Sequence, residues 1–291
     1  MDVIVVFNGL GNQMSQYAYF LQKRSLGKAY FISFCSDHNG MELDKVFNIN
    51  VKPALFQKNL YLLFRILLTD KGWGLNNIKN RISHFFDIRI VKENFDYNFK
   101  EQYLQPSRGL TYYYGGWHSE LYFAECREEI ISKFKFNIPT DNVNQEIIKK
   151  ISNTESVAVH VRRGDYLNAS NINLFGGVCT QEYYEKAIDA IEERVRDVHY
   201  FVFSNDMGWV KENLKLQNVT YIDNNRGTNS YIDMYLMSIC KHNIIANSTF
   251  SWWGAWLNQN EDKIVICPNR FLNDDKSTDV YPQDWIKINN K

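Results

Sequence analysis

The second half of the chain alternates short apolar strands with amphipathic helices. Strands are predicted at 157–161, 199–203, 219–222, 243–246 and 263–266. Helices are predicted from Gln181 to Arg196 and over 229–240, where apolar residues recur at helical spacing. Strands that alternate with helices form a mostly parallel sheet covered on both faces. This half is therefore predicted to be a Rossmann-like α/β domain.

The first half predicts a looser α/β domain. It contains strands at Val3–Phe7, Ala29–Phe34 and Tyr112–Tyr114, and helices from about Asn12 to Leu26, over 55–70 and from Glu120 to Phe134. The helix over 55–70 includes Lys58, Arg65 and Lys71. We favour a domain-packing helix there over a membrane-surface helix. A polar, turn-rich segment near Pro139 predicts the boundary, giving domains 1–140 and 141–291 with the active site in a cleft between them.

Composition excludes several classes of protein. Lys plus Arg equals Asp plus Glu at 33 each, so no overall field favours nucleic acid. The five cysteines are widely spaced without a Cys-x-x-Cys pair, which favours a reducing compartment and argues against structural zinc. The opening residues predict a first strand and not a signal peptide, and no run of 18 apolar residues occurs. We expect a cytoplasmic protein.

Two arginines follow the strand at 157–161. Arg162 and Arg163 stand directly before Gly164 and Asp165. Ligands of open α/β sheets bind at the carboxyl ends of strands, and a phosphate or diphosphate suits paired guanidinium groups. The alternative is a structural pair neutralised by Asp165 or by solvent, and the local sequence leaves both open.

Two more strand ends carry polar residues. Ser248 and Thr249 precede a helix that runs through Leu257, and they suit either an ordinary N-cap or a diphosphate bound at the helix N-terminus. Asn205 and Asp206 follow the strand at 199–203 and suit either ribose and purine contacts or the cap of a short helix. The strand ends before Arg162 and before Ser248 both suit an anion and lie in the same half of the chain. Together they favour a nucleotide diphosphate as the ligand.

A glycine-rich turn follows the first strand. Gly9 and Gly11 permit close approach of a ligand to the backbone, and Asn12 and Gln13 would add amide donors. The third glycine of a dinucleotide fingerprint is replaced by Met14, so the turn does not predict that motif. A simple tight turn is the alternative.

Several segments together resemble one family. The segments from His160 to Tyr166, from Phe203 to Asp206 and from Asn247 to Ala255 resemble motifs of the bacterial-type inverting α-1,2-fucosyltransferases. The turn from Gly9 to Gln13 resembles that family's N-terminal glycine motif. The segment from Gly116 to Phe123 is similar to its aromatic motif, with a histidine at position 118 where the family has glutamine.

The resemblance implies a fold and an activity. The fold is α/β and GT-B-like, with two Rossmann-like domains facing across a cleft, an acceptor-side domain at 1–140 and a GDP-fucose-binding domain at 141–291. The activity is transfer of L-fucose from GDP-β-L-fucose to the 2-hydroxyl of a terminal β-galactoside on an oligosaccharide or glycolipid. No metal or other cofactor is expected, and no nucleic acid. Peripheral contact with the inner membrane is a further expectation.

The resemblance also assigns site residues. Arg162, Arg163 and Asp165 are the expected catalytic residues, and at least one arginine is expected to bind the β-phosphate. Side chains alternate along an extended segment, so the two arginines are expected to point apart and one can be structural. Acceptor contacts are expected from Trp117, His118 and Glu120. The expected donor-binding residues are Gly9, Gly11, Asn12, His160, Asn205, Asp206, Asn247, Ser248, Thr249, Phe250 and Ser251.

The general base stays open at this stage. Asp165, Glu120 and His118 are candidates, although Asp165 beside two arginines is expected to be a structural partner and a poor base. The departing phosphate is a further possible proton acceptor. Two alternatives to the activity also stay open, an α-1,6-type fucosyltransferase and a non-catalytic nucleotide- or sugar-binding protein. The sequence shows no Asp-x-Asp at a strand end, and Asp274 and Asp275 are expected to be solvated.

Overall fold

A computed structural model describes residues 1–36, 39–68, 83–93, 97–273 and 279–289. The chain divides into two compact units, an N-terminal unit of Met1–Lys135 and a C-terminal unit of Phe136–Lys291. Both units are α/β with parallel sheets. Among the described helices, none combines the length and the apolar character needed to span a bilayer.

The N-terminal unit contains a four-stranded parallel sheet. Its strands are β1 (Asp2–Val6), β2 (Ala29–Ser33), β3 (Ile88–Lys92) and β4 (Leu110–Tyr114), in the spatial order β2-β1-β4-β3. Its helices are α1 (Leu10–Leu26), α2 (Leu43–Phe47), α3 (Leu55–Leu68) and α4 (Arg127–Lys133). Strand β3 and helix α2 were not predicted from the sequence.

Helix α3 packs one face on this sheet. Leu60 and Phe64 are buried, and the Phe64 ring stacks on Tyr112 of β4 at a centroid distance of 5.2 Å. The Tyr112 hydroxyl donates to the Leu60 carbonyl at 3.0 Å. The domain-packing interpretation is therefore confirmed for this face. Lys71 and the last two residues of the predicted helix lie outside the described residues.

The single helix predicted from Glu120 to Phe134 was wrong. Two 3-10 turns, Glu120–Tyr122 and Ala124–Cys126, precede α4, and Phe123 between them has a non-helical φ of −147°. Tyr122 and Phe123 are both fully buried. Phe123 therefore interrupts the helical backbone between the two turns, and the α-helix begins only at Arg127.

The C-terminal unit contains a six-stranded parallel sheet in the order β10-β9-β8-β5-β6-β7. Its strands are β5 (Glu155–Val161), β6 (Val198–Ser204), β7 (Val219–Ile222), β8 (His242–Ile244), β9 (Val265–Pro268) and β10 (Ile286–Ile288). Its helices are α5 (Asn142–Ser152), α6 (Ile172–Phe175), α7 (Gln181–Glu192), α8 (Met207–Asn213), α9 (Tyr231–Ile239) and α10 (Thr249–Trp256).

Helices cover both faces of this sheet. On one face, Val157 and Val159 of β5 pack in a cluster with Tyr184 and Ile191 of α7. On the other face, Ala158 lies in a cluster formed by α5 and α9. Strand β5 is thus buried from both sides, as its apolar run from Val157 to Val159 predicts. The predicted Rossmann-like, doubly wound half is confirmed, with β10 as an additional edge strand.

Candidate active site

Three polar segments of the C-terminal unit follow neighbouring strands at the carboxyl ends of those strands. Val161 at the end of β5 pairs with Ser204 at the end of β6, and Val159 pairs with Ile244 of β8. Parallel strands that pair in this register end on the same side of the sheet. The segments that begin at Arg162, Asn205 and Asn247 therefore converge there.

Asn205 holds the loop that carries the two arginines. Its Oδ1 accepts the backbone N–H groups of Arg163 and Gly164 at 3.0 and 3.2 Å, and its Nδ2 donates to Asp165 Oδ1 at 3.1 Å. A Cβ at Gly164 would lie 2.9 Å from Asn205 Nδ2, so the close approach requires glycine. The amide of Asn205 thus positions this loop, and because the residue is exposed its contact with the nucleoside stays a prediction.

Arg162 pairs with the carboxylate three residues later. Its Nη2 lies 2.8 Å from Asp165 Oδ2, and its guanidinium lies over the Tyr166 ring at 5.6 Å. The side chain is 31% exposed. Asp165 thus holds Arg162 and also accepts from Asn205, as expected of a structural partner.

Arg163 pairs with different groups. Its Nε lies 3.5 Å from Asp206 Oδ2, and its guanidinium carbon lies 4.1 Å from the centre of the Trp209 ring. Asp206 also caps α8 by accepting the Trp209 N–H at 3.2 Å. The two arginines therefore contact separate sets of partners, in agreement with the alternation expected along an extended segment. Asp206 serves as a helix cap and an ion-pair partner.

Ser248 caps α10 at the third strand end. Its Oγ accepts the Phe250 N–H at 3.3 Å, so the ordinary N-cap interpretation is confirmed. Thr249 and Phe250 in the first turn are half-buried. The positive end of the helix dipole lies at this turn, which is a favourable position for an anion.

Asn247 and Ser251 are committed to the interior, which corrects their predicted roles as donor contacts. Asn247 is fully buried, and its Nδ2 donates to the carbonyls of Phe175 and Phe271 at 3.2 and 3.0 Å. Ser251 is also fully buried, and its hydroxyl bonds back to the Ala246 carbonyl. Both side chains shape the entry into α10 and have no surface that a ligand could contact.

His160 is buried on the α9 side of β5, beside the Phe250 ring at 5.9 Å. Burial, together with the nearby Arg162 charge, lowers the pKa of its imidazole to about 3. The ring is therefore neutral at physiological pH. Its Nδ1 is buried and has no hydrogen-bond partner.

Unsatisfied polar atoms concentrate at the end of β5. Eight buried side-chain nitrogen or oxygen atoms of the described residues lack a hydrogen bond, and three of them are His160 Nδ1, Arg162 Nε and Arg163 Nε. Arg163 Nε lies 3.5 Å from Asp206 Oδ2, within ion-pair distance but without hydrogen-bond geometry. A buried polar group without a partner costs about 1 to 3 kcal/mol, so such groups rarely cluster in four consecutive residues without a functional reason. This arrangement suits an anionic ligand with several acceptor oxygens.

In the N-terminal unit, hydrogen bonds from the buried side chain of Gln13 hold the glycine-rich turn in place. Gly9 caps α1, which places Gly11 and Asn12 in the first helical turn, and the residue with positive φ is Asn8 at 64°. The buried Gln13 amide donates to the carbonyls of Asn8 and Gly40 and accepts the Glu42 N–H. Gln13 is thus not a ligand-facing donor, whereas Asn12 is half-buried.

Trp117 belongs to the core of the N-terminal unit, which corrects its predicted role as an acceptor contact. The side chain is fully buried, and its ring stacks on Tyr19 at 4.5 Å and meets the edge of Tyr122 at 5.4 Å. The backbone has a φ of 54°, and Glu93 Oε2 accepts the Trp117 N–H at 3.0 Å. No face of the ring is exposed to a sugar.

His118 and Glu120 differ in their environments. His118 is 4% exposed, its Nδ1 lies 3.3 Å from Ser15 Oγ, and burial lowers its pKa to about 3. A group with so low a pKa is a weak base at neutral pH. The Glu120 side chain is 28% exposed and lies 4.0 Å from Arg127 Nη1. Of the predicted acceptor residues, Glu120 keeps the most accessible functional group.

The acidic residues of the site balance its arginines. Asp165 and Asp206 each lie within ion-pair distance of one guanidinium. Asp274 and Asp275 lie outside the described residues. In the part of the chain that the structure describes, no group of three His, Cys, Asp or Glu side chains is placed to hold a metal ion.

A family profile decides the class of the protein. The profile of glycosyl transferase family 11 matches residues 2–289, nearly the whole chain. The chain belongs to glycosyltransferase family 11. It is therefore a glycosyltransferase, and the arginine-bearing edge of the C-terminal sheet is its candidate active site.

Named relatives of this family-11 chain are similar over its full length. An α-1,2-colitosyltransferase of Escherichia coli is 32% identical over 99% of this chain and 99% of its own. The O-antigen biosynthesis glycosyltransferase WbnK of Escherichia coli is 31% identical over 96% of this chain and 98% of its own. Galactoside α-(1,2)-fucosyltransferase 2 of Bos taurus is 28% identical over 99% of this chain and 79% of its own.

The family-11 chain also contains a buried polar network that was not predicted from the sequence. Asn225, in the loop after β7, donates to Asp233 Oδ1 at 2.8 Å and to Asn144 Oδ1 at 3.1 Å. Burial, reinforced by the charge of Asp223, raises the pKa of Asp233 to about 7. The Asn224-Asn225 pair could have suggested a turn, but its partners are far away in sequence.

Proposed function

We propose that this glycosyltransferase moves L-fucose from GDP-β-L-fucose to the 2-hydroxyl of a terminal β-galactoside. The observation that carries the proposal is the cluster of unsatisfied buried atoms His160 Nδ1, Arg162 Nε and Arg163 Nε at the end of β5. The names of the relatives support the α-1,2 linkage, because both a galactoside α-(1,2)-fucosyltransferase and an α-1,2-colitosyltransferase align with nearly the whole chain.

In this proposal the two arginines stabilise the leaving diphosphate. As the bond between fucose and the β-phosphate breaks, negative charge builds up on the phosphate oxygens. Arg162 is anchored by Asp165, and Arg163 is anchored by Asp206 and Trp209, so both cations are oriented before the donor binds. Pre-oriented cations lower the barrier because their attraction increases with the developing charge. Thr249 and the first turn of α10 contribute from the adjacent strand end.

His160 is proposed to contact the donor as a neutral ring. Its Nδ1 lacks a partner and its pKa is lowered to about 3, so it neither adds positive charge nor titrates near neutral pH. A neutral imidazole donates or accepts one hydrogen bond at a fixed atom, which suits recognition of the nucleoside part of the donor. Metal independence is part of the proposal, since the arginines supply the charge that Mg²⁺ would otherwise provide.

The acceptor hydroxyl must lose a proton during transfer. His118 is a weak candidate because of its lowered pKa, and Asp165 is engaged by Arg162 and Asn205. We propose that either Glu120 or the departing phosphate accepts the proton. The Glu120→Gln variant tests this choice, because it removes a base and leaves the leaving group intact.

A second candidate is transfer of colitose, which lacks the 3-hydroxyl of fucose. The 32% identity to an α-1,2-colitosyltransferase over the full chain favours this possibility. The phosphate contacts proposed above apply equally to both GDP-linked sugars. The two donors are therefore distinguished by turnover and not by GDP binding.

The experiment that tests the proposal measures GDP release from GDP-fucose in the presence of lactose, with and without EDTA, and reads the product linkage by NMR. Acceptor-dependent GDP release that EDTA does not change, with fucose on the galactose 2-position, supports the donor, linkage and metal independence. Turnover only with GDP-colitose favours the second candidate. GDP binding without turnover for either sugar on a panel of galactosides contradicts the transferase proposal.

We further propose a cytoplasmic location for the enzyme. All five cysteines are free thiols, and four of them are buried. Free thiols are typical of proteins that remain in a reducing compartment.

A further inference from the structure

Helix α3 of the N-terminal unit exposes large apolar side chains on the side opposite its buried face. Leu55 is 76% exposed, Leu62 54% and Ile66 59%. Lys58 and Arg65 are exposed at neighbouring positions. We call these five residues the outer face of α3. Spacings of three and four residues place them along one stripe of the helix.

The charged residues of α3 itself have one sign. Within Leu55–Leu68 they are Lys58 and Arg65, and Lys52 precedes the helix, whereas the nearest acidic residues in sequence are Asp44 and Asp70. The chain as a whole has equal numbers of acidic and basic residues, 33 of each. The excess of cations is therefore local to this segment and accompanies its exposed leucines.

We propose that the outer face of α3 binds the surface of a membrane that contains anionic lipids. Exposed Leu and Ile side chains insert between lipid headgroups, while Lys and Arg at their flanks contact the lipid phosphates. Basic residues near an anionic surface strengthen binding, and salt weakens their contribution. The inference rests on the proposed function in one respect, because an enzyme on the membrane surface would meet a glycolipid acceptor there.

A second copy of this chain fits the face less well. A two-fold contact through α3 would bring the outer faces of two molecules together, with Lys58 and Arg65 of each facing the same cations of the other. Like charges placed together across an interface oppose association. An anionic membrane satisfies the apolar and the basic side chains at the same time.

The helix does not need its outer face in order to fold. Leu60 and Phe64 anchor it on the sheet through the stack on Tyr112 and the hydrogen bond from the Tyr112 hydroxyl. Polar substitutions at Leu62 and Ile66 leave these contacts intact. The proposed membrane contact is thus separable by mutation from the stability of the unit.

The test is co-sedimentation of the full chain with vesicles of equal parts phosphatidylcholine and phosphatidylglycerol, and with vesicles of phosphatidylcholine alone. Three double variants are compared with the wild type: Leu62→Gln with Ile66→Gln, Lys58→Gln with Arg65→Gln, and Ile138→Gln with Val143→Gln. The last pair is the matched control, since Ile138 and Val143 are similarly exposed, at 63% and 55%, in the C-terminal unit. GDP release with lactose, a soluble acceptor, is measured in parallel.

The wild type is expected to bind the anionic vesicles, more weakly at high salt and on pure phosphatidylcholine. The partition coefficient is expected to fall about tenfold or more for the Leu62/Ile66 pair, and to a smaller extent for the Lys58/Arg65 pair. The control pair binds like the wild type, and turnover of lactose is the same in all four proteins.

Three results would overturn the proposal. The first is that the wild type does not bind anionic vesicles. The second is that the Ile138/Val143 control variant loses as much vesicle binding as the Leu62/Ile66 variant. The third is that light scattering shows a dimer for the wild type and a monomer for the Leu62/Ile66 variant. Lactose turnover tests the proposed function separately. Vesicle binding without turnover would count against that function alone, and turnover without vesicle binding would count against the membrane contact alone.

Discussion

The Arg163 guanidinium lies 4.1 Å from the centre of the Trp209 ring, and one carboxylate connects the two residues. Asp206 accepts the Trp209 backbone N–H through Oδ1 and lies 3.5 Å from Arg163 Nε through Oδ2. The position of the arginine thus depends on the first turn of α8. A cation held over an indole gains about 0.5 to 2 kcal/mol, which restricts the rotamers of Arg163.

Replacing Trp209 by leucine should weaken GDP binding without unfolding the protein. We expect the Kd for GDP to rise about twofold to tenfold, because the ring that orients Arg163 is lost while its charge remains. Arg163→Ala should raise the Kd further. Isothermal titration calorimetry measures both, with Trp209→Phe as the conservative control. A Trp209→Leu variant that binds GDP like the wild type, next to an Arg163→Ala variant that does not, would show that the ring is unnecessary.

Asn205→Ala should destabilise the C-terminal unit and lower activity together. The change leaves the N–H groups of Arg163 and Gly164 without their acceptor and removes a donor from Asp165. We expect the free energy of unfolding to fall by about 1 to 3 kcal/mol, measured by urea denaturation. Asn213→Ala is the control, since it removes a single hydrogen bond to the Trp209 carbonyl. Equal effects of the two changes would contradict the special role of Asn205.

His118 should make the protein sensitive to acid. The pKa of its imidazole is about 3 in the folded state against an ordinary value of 6.5, so below pH 6.5 the unfolded chain takes up a proton that the folded chain does not. The stability contributed by the neutral ring is therefore lost as the pH falls from 6.5 towards 3.

His118→Gln should reduce this acid sensitivity. At pH 5 the expected gain is on the order of 2 kcal/mol relative to the wild type, with a much smaller effect at pH 8. Urea midpoints at the two pH values check the prediction. Part of the acid sensitivity should persist in the variant, because the pKa of His160 is lowered to about 3 as well. A pH dependence identical in the variant and the wild type would refute it.

Asp233 should have the opposite pH dependence. Its folded-state pKa is raised from 3.8 to about 7, so its favourable contribution is complete below about pH 4 and is lost as the pH rises through 7. Asp233→Asn keeps an acceptor for the Asn225 amide and removes the buried charge. We expect a higher Tm for the variant at pH 8, by about 2 to 4 °C per kcal/mol regained, and little change at pH 5. A lower Tm for the variant at pH 8 would show that the ionised carboxylate is needed.

The local arrangement of side chains was predicted correctly where each one acts close to its own strand end. The Arg162 and Arg163 positions, their divergence, the pairing of Asp165 and the N-cap at Ser248 all follow from local rules about strand ends and helix starts. Asn247 and Trp117 were assigned to ligands, but both are fully buried and hold the interior of their units. A buried amide that bonds to remote carbonyls has the same sequence signature as one that contacts a ligand.

The sequence alone determined the parallel α/β class of the C-terminal unit and the edge at which its arginines stand, because apolar periodicity and strand-end chemistry are encoded within a few residues. Only the tertiary structure decided which polar atoms at that edge lack a partner, which histidines are buried as neutral rings, and that α3 leaves one apolar face uncovered. Burial and hydrogen bonding depend on groups distant in the chain, such as Asn205 and the Arg163 loop, or Asn144 and Asn225. Those pairings form only when the sheet brings its strand ends together.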